Sequence, residues 1–251
     1  MSGAEYEKTR ANTVQRKKDR ATYDKATVHG IVRAGHGICH VAFVDEEGMP
    51  QCMPMIGCVD DRSEQGEEVW MYFHGYTSTR IMKALADPGT PMVVTCTLVD
   101  GLVFALNISN HSMNYRSAVF HGVSYPLPAG DRAAKNHAMT CVMDGVMPGR
   151  WDEARPIDET EWASVGVIRM KVESARLASS PAAAAHAYLF RSAKIRKGPP
   201  GNDKNDVANK DLTARVWSGI LPLRVVTEPP QPEPFCADRP VPETVTGLEL
   251  K

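Results

Sequence analysis

Between Ile38 and Ser124 the chain alternates short, densely apolar runs with turn-forming residues, and this rhythm points to a β-rich fold. Ile38 to Asp45 reads as a strand of near-continuous apolar character. Glu47-Gly48 supplies a turn, and Gln51 to Val59 returns as the hairpin partner. Asp60 to Glu68 is a polar turn, and Val69 to His74 is the next strand. Pro91 to Val99 and Leu102 to Asn107 are predicted to form another hairpin across Asp100-Gly101, a dipeptide suited to a type I′ turn. Tyr115 to Ser124, Val165 to Val172 and Tyr188 to Ile195 complete the strand set. Strands that are apolar on both faces suit a closed barrel with one face against a helix or a subunit.

Helices are few and peripheral. Asp24 can cap a short helix with Val28, Ile31 and Val32 on one side, ended by Gly35 and Gly37. Ser78 to Ala86 carries Ile81, Met82 and Leu85 on one face. In Asp131 to Val146, Ala134, His137, Ala138, Cys141 and Val142 recur at helical spacing. Ser179 to Ala187 reads as a loop or short helix. Beyond Gly198 the chain is rich in Pro and polar residues and reads as largely extended, with Val216 to Val226 packed against the body. The expected organisation is an N-terminal arm (1–22), one barrel domain (23–226) and an extended Pro-rich tail (227–251).

Bulk properties narrow the function. Apolar residues make up 43% and charged residues 24%, an ordinary globular balance, and the net charge of −1 offers no field for nucleic acid. The basic cluster from Arg16 to Arg20 reads as a solvated flank. No stretch approaches the ~20 apolar residues a membrane helix needs, and Met1 to Arg20 has no apolar leader core, so the expected location is the cytoplasm. Six cysteines without a CxxC pair read as buried free thiols, and no Cys or His spacing suggests a zinc site, so no metal ligand is expected.

Two segments carry candidate chemistry. In His74-Gly75-Tyr76-Thr77-Ser78-Thr79-Arg80-Ile81-Met82-Lys83 a strand ends, hydroxyls follow and a helix starts. Free N–H groups at such a start attract an anion, and Arg80 and Lys83 share a helix face. The plainer reading is a capped helix with an exposed basic edge. His111-Ser112-Met113-Asn114-Tyr115-Arg116-Ser117 gathers polar, aromatic and cationic groups at the mouth of a strand, and reads equally as a turn plus an edge strand. His40, His74, His111, His121 and His137 are candidate acid–base groups, although a strand histidine is more often structural. Arg191, Lys194, Arg196 and Lys197 form a basic run that suits a phosphate or a solvated strand end. No GxSxG, Walker or GxGxxG pattern accompanies these residues.

Taken in order, several runs resemble the flavin-nucleotide-binding branch of the pyridoxamine 5′-phosphate-oxidase-like proteins, which is related to nitroimidazole-resistance proteins. They are Arg20-Ala21-Thr22-Tyr23-Asp24, Cys39 to Val44, Met53-Pro54-Met55, His74-Gly75, Asp100 to Val103, His111 to Ser117, Pro148 to Glu153, Ser192 to Pro200 and Trp217 to Pro222. The resemblance implies a mainly β (α+β) split β-barrel that dimerises, with FMN in clefts between the subunits. It places Met53, Pro54, Met55 and Ile56 along the flavin ring, beside His74. It places Thr77, Ser78, Thr79, Arg80 and Lys83 on the phosphate, and Asn114, Tyr115, Arg116 and Ser117 in the same cleft. Trp217 resembles a C-terminal tryptophan that reaches the cofactor from the other subunit. Two departures stand out. Tyr76 is bulky where relatives carry small residues, and Thr79 replaces a serine. Phe104 to Asn110 lacks the cation and aromatic groups that relatives carry there.

The resemblance implies an FMN-dependent oxidoreductase acting on a small organic substrate, with NADH or NADPH as electron source. Tyr115, His74 and His111 are the catalytic candidates, named from position. The alternatives are a flavin-storage protein, a haem-binding relative with His186 or another histidine as axial ligand, and a flavin-free enzyme on the same fold.

Overall fold

The computed structural model describes residues 5, 6, 8, 12–128, 130–173 and 190–248. Nine strands form one antiparallel system: β1 (Ala21–Thr22), β2 (Ile38–Val44), β3 (Pro50–Asp60), β4 (Val69–Tyr76), β5 (Pro91–Phe104), β6 (Ser112–Pro126), β7 (Val165–Glu173), β8 (Phe190–Arg196) and β9 (Gly219–Pro222). The pairings β2–β3, β3–β4, β4–β7, β7–β6, β6–β5 and β5–β2 close a ring of six strands. The long strands are shared between neighbours. One edge of β6 carries β8 along Tyr115–His121 and β7 along Ser124–Pro126, while β5 carries β2 at its start and β9 at its end. This sharing makes the barrel a split one.

The core follows from strand periodicity. Cys39, Val41 and Phe43 of β2, Met71 and Phe73 of β4, Met92, Val94 and Cys96 of β5, and Ile168, Met170 and Val172 of β7 are every second residue and are buried together. Helix α1 (Lys25–Ala34), capped by Asp24 on the Thr27 N–H at 2.8 Å, adds Val28, Ile31 and Val32 to this core. The outer face of β3 and β4 is covered by α3 (Arg132–Val146), whose Ala138 and Val142 pack on Cys58 and Tyr72. Tyr6 and Tyr23 belong to the main core.

Three expectations need correction. Pro91 to Asn107 is one strand ending at Phe104, not a hairpin. Both of its halves pair with the same neighbour, from Pro91↔Val123 to Val103↔Ser112, and the irregularity between Val99 and Gly101 lets Asp100-Gly101 act as a bulge. The strand expected from Tyr115 begins at Ser112, extended by that pairing. The region beyond Gly198 is more ordered than an extended tail. It forms α6 (Lys204–Ala208), α7 (Lys210–Arg215), β9 and α8 (Glu243–Thr246), and β9 adds to β5. Asn209 caps α7 through the Leu212 N–H at 3.0 Å, a local signal the Pro-rich composition obscures. The segment 179–187 and residues 188–189 lie outside the described residues. Among the described residues no helix is long and apolar enough to cross a membrane.

Candidate functional site

The first half of β3 is half-finished as sheet. Pro50 to Ile56 pairs with β2 on one side, but β4 engages only Gly57 to Asp60 on the other. Among the described residues Pro50–Ile56 therefore has an open edge, and Cys52, Met53 and Pro54 are exposed along it. Beside it β4 runs out through His74, Gly75 and Tyr76 into the turn before α2 (Arg80–Ala84). A side chain at Gly75 would begin 3.7 Å from the Met55 methyl, so Met55 reaches back to this junction. Arg80 donates to the Gln51 side chain at 3.4 Å, which ties the start of α2 to the far end of the open edge.

The His74 side chain is partly withdrawn from water, and its Nδ1 is buried with no hydrogen-bond partner. Burial pushes its pKa down, so the ring is neutral near pH 7. A buried nitrogen without a partner is unusual, and it marks a position where a ligand polar group would be satisfied. In the turn, Thr77 Oγ1 donates to the Ser164 carbonyl at 3.3 Å and Thr79 Oγ1 to the Tyr76 carbonyl at 2.8 Å. Both hydroxyl protons are thus in use, so the donors left to an anion are Ser78, Arg80, Lys83 and the first N–H groups of α2. Ser78, Arg80 and Lys83 line a cavity of about 510 Å³ together with Asp45, Glu46 and Glu47. The acids reduce the positive field there.

The second group of sequence-named residues lies elsewhere. Asn114 is buried and accepts a hydrogen bond from Arg196. Arg116 grips Asp100 through Nε (3.0 Å) and Nη2 (2.8 Å), and Ser117 Oγ donates to the Lys194 carbonyl. Three of the four are thus occupied within the sheet. Tyr115 and His111 instead line a cavity of about 460 Å³ with Arg16, Lys17, Arg20, Lys194 and Arg196 and no acid in its lining. Arg196 is desolvated and faces Arg20, and both effects push its pKa down. Trp217 is 67% exposed and leans on Phe104, which meets His111 edge-on.

The structure therefore brings Met53, Pro54, Met55, Ile56, His74 and the Thr77–Lys83 turn together, and separately Tyr115, His111 and the basic residues. In the sheet, β2 and β5 separate β3, which carries Met53 to Ile56, from β6, which carries Tyr115. Arg16 and Lys17, read from the sequence as a solvated flank, are exposed, and with Arg20 they also line the cavity of Tyr115 and His111. The pairing of Ala21 with Lys194 carries this flank to β8, and the Arg-rich run itself was the signal. The Phe104–Asn110 stretch is fastened to residues 202–206: Leu106 N–H donates to Asn202 Oδ1 at 2.8 Å and Asn107 Nδ2 to Asp206 at 3.0 Å. A larger cavity of about 610 Å³ between α3 and the segment Arg150–Trp162 contains none of the named residues.

Residues 24–178 match the family model for pyridoxamine 5′-phosphate oxidase. Comparison with curated proteins finds no match. Among solved structures the chain is similar to the flavocytochrome Anf3 from Azotobacter vinelandii, at 27% identity over 97% of this chain and 98% of that one, with a TM-score of 0.76. It is also similar to the FAD and haem binding protein from Mycobacterium smegmatis, at 23% identity over 91% and 96% of the two chains, with a TM-score of 0.71, a likeness of fold.

Proposed function

Because the chain belongs to the pyridoxamine 5′-phosphate oxidase family, we propose that it is a flavin-dependent oxidoreductase acting on a small organic substrate, with FMN held between the subunits of a homodimer. The observation that carries this reading is the open edge of β3 beside the unpartnered Nδ1 of His74, with Arg80 and Lys83 at its far end. A flavin supplies the electron chemistry, and the chain binds it, orients it and excludes water. Met53 to Ile56 lie along the ring, His74 offers its free nitrogen, and Ser78, Arg80 and Lys83 neutralise the phosphate.

Two observations support the dimer. Val44, Met49, Met53 and Tyr76 are exposed apolar side chains around the open edge, a surface that a second copy would cover. The cationic cavity, lined from β6 and β8, and Trp217, just before β9, are not part of that edge. In the dimer they face the flavin or its anionic reaction partner, a reduced nicotinamide included, from the other side. Tyr115 and His111 are then the groups best placed to move a proton at the substrate.

Haem is a second reading, favoured by full-length likeness to a flavocytochrome at 27% identity. The ligand named from sequence, His186, lies outside the described residues.

An absorption spectrum of the purified protein, before and after adding FMN, FAD or haem, tests both readings. Two flavin bands bleached by NADH or NADPH support the first, and an intense Soret band supports the second. A colourless protein that takes up neither refutes both. Arg80→Ala removes a charged hydrogen bond, typically about 1.5–3 kcal/mol, and should weaken FMN binding roughly 10- to 100-fold. Unchanged retention would sink the phosphate assignment.

A further inference from the structure

On the opposite side of β3 from the barrel interior, we propose a site for a divalent cation of the zinc class, ligated by Asp60, His137 and Cys141, with the fourth position left to water. Cys58 and Asp60 are two apart on a strand and so share its face. His137 and Cys141 are four apart on α3 and share a helix face. Packing of α3 over β3 and β4 sets the two pairs against each other, with Ala138 and Val142 buried alongside. The donors meet although Asp60 and His137 are 77 residues apart. No local motif could have announced them.

The geometry of the contacts is the argument. His137 Nε2 lies 2.8 Å from Asp60 Oδ2, and Cys141 Sγ lies 3.4 Å from the same nitrogen. The ligand atoms of all three residues fall within 4.8 Å of one another. Cys58 and Cys141 pack in the same small cluster beneath α3. In a catalytic relay the carboxylate and the thiol would use opposite ring nitrogens. Here both converge on one, which carries at most one proton and can satisfy only one of them. A cation at the centre satisfies all of them at once. With metal–ligand lengths near 2.0 Å for N and O and 2.3 Å for S, tetrahedral ligands stand about 3.3 Å (N to O) and about 3.5 Å (N to S) apart. His137 Nε2 and Asp60 Oδ2 would part by about 0.5 Å to reach that spacing, while Nε2 and Cys141 Sγ already stand within about 0.1 Å of theirs.

The surroundings fit. The Asp60 side chain is 10% exposed and that of His137 39%, so the donors are held from beneath while the histidine side leaves an entry path. Arg62 Nε stands 3.3 Å from Asp60 Oδ2 as an ion pair without a hydrogen bond between them. The Tyr72 ring meets the imidazole edge-on at 6.0 Å and restrains its rotation. Mixed sulfur, nitrogen and oxygen donors select a borderline cation over magnesium or calcium. Binding releases the Cys141 thiol proton to solvent.

The test is independent of the flavin. Full-length protein, prepared under reducing conditions and stripped with a chelator, is titrated with Co²⁺ and followed by difference absorption. The expected result is one equivalent per chain, with thiolate-to-cobalt charge-transfer bands displaced by Zn²⁺. Cys141→Ser and His137→Gln should each weaken Zn²⁺ competition by at least about tenfold, with circular dichroism showing that each variant is folded. His137→Gln, at a part-exposed position, keeps the test open should the cysteine variant misfold. Absence of the charge-transfer bands, or bands that persist unchanged in both variants, overturns the proposal. So does a Cys58–Cys141 disulfide as the species isolated under those conditions.

Discussion

Lowering the pH from 7 to 4 should release a buried histidine contact that holds the N-terminal arm. His29 of α1 is 4% exposed. Its Nε2 meets the Tyr6 hydroxyl and its Nδ1 lies 3.3 Å from Asp61. Burial is the dominant influence and outweighs the attraction of Asp61, while Arg33, Lys25 and Arg191 add repulsion, so the pKa falls to about 4 from 6.5. The folded pKa lies below the unfolded one, so between these values the unfolded chain binds more protons. The contribution is therefore complete above pH 6.5 and is lost as the pH falls towards 4. At 1.36 kcal/mol per unit, a depression of this size is worth about 3 kcal/mol. Urea midpoints at pH 7, 6, 5 and 4 should be compared between the wild type and His29→Gln, because carboxylates contribute to acid loss in both and cancel in the difference. The variant should be the less stable at pH 7 and close most of that gap by pH 4. Parallel curves for the two proteins would refute the reasoning.

Other perturbations follow from packing. Phe73→Ala empties a fully buried site at the centre of β4 and should cost about 3–5 kcal/mol in urea unfolding. At Gly57, an added Cβ would fall 2.4 Å from the Phe73 ring, so Gly57→Ala should cost about 1–3 kcal/mol. The double substitution Gly57→Ala/Phe73→Leu should then be less destabilising than the sum of its singles, and additivity would refute the contact. Asp100→Asn weakens a bidentate pair that is one-third exposed and should change stability by about 1 kcal/mol or less. Trp217→Ala should leave unfolding of the subunit nearly unchanged yet weaken self-association in sedimentation, if the proposed dimer uses that ring.

Much of the barrel was legible in the residues themselves. Alternation at 39, 41 and 43 and at 69, 71 and 73 follows from period-two geometry, which any chain must obey when one face of a strand is dry. Asp24 announced its helix because capping is a local interaction, and Asp131 caps α3 in the same way. The turn proposed to take the phosphate was equally visible, since Arg80 and Lys83 stand next to the hydroxyls they accompany. What the neighbours decide could not be read this way. Asp100-Gly101 suits a tight turn in isolation, and it became a bulge because β6 runs past both halves of β5 and captures each. Thr77 and Thr79 have their hydroxyl protons engaged by carbonyls, one of them 87 residues distant. The open edge of β3 exists only because β4 leaves it at Gly57, and the basic flank becomes a cavity wall only once β1 has paired with β8. Periodicity, capping and charge act over a few residues and are written in order along the chain. Which strand edge stays unpaired, and which distant donors meet beneath a helix, depends on closure of the ring as a whole, a property no segment carries alone.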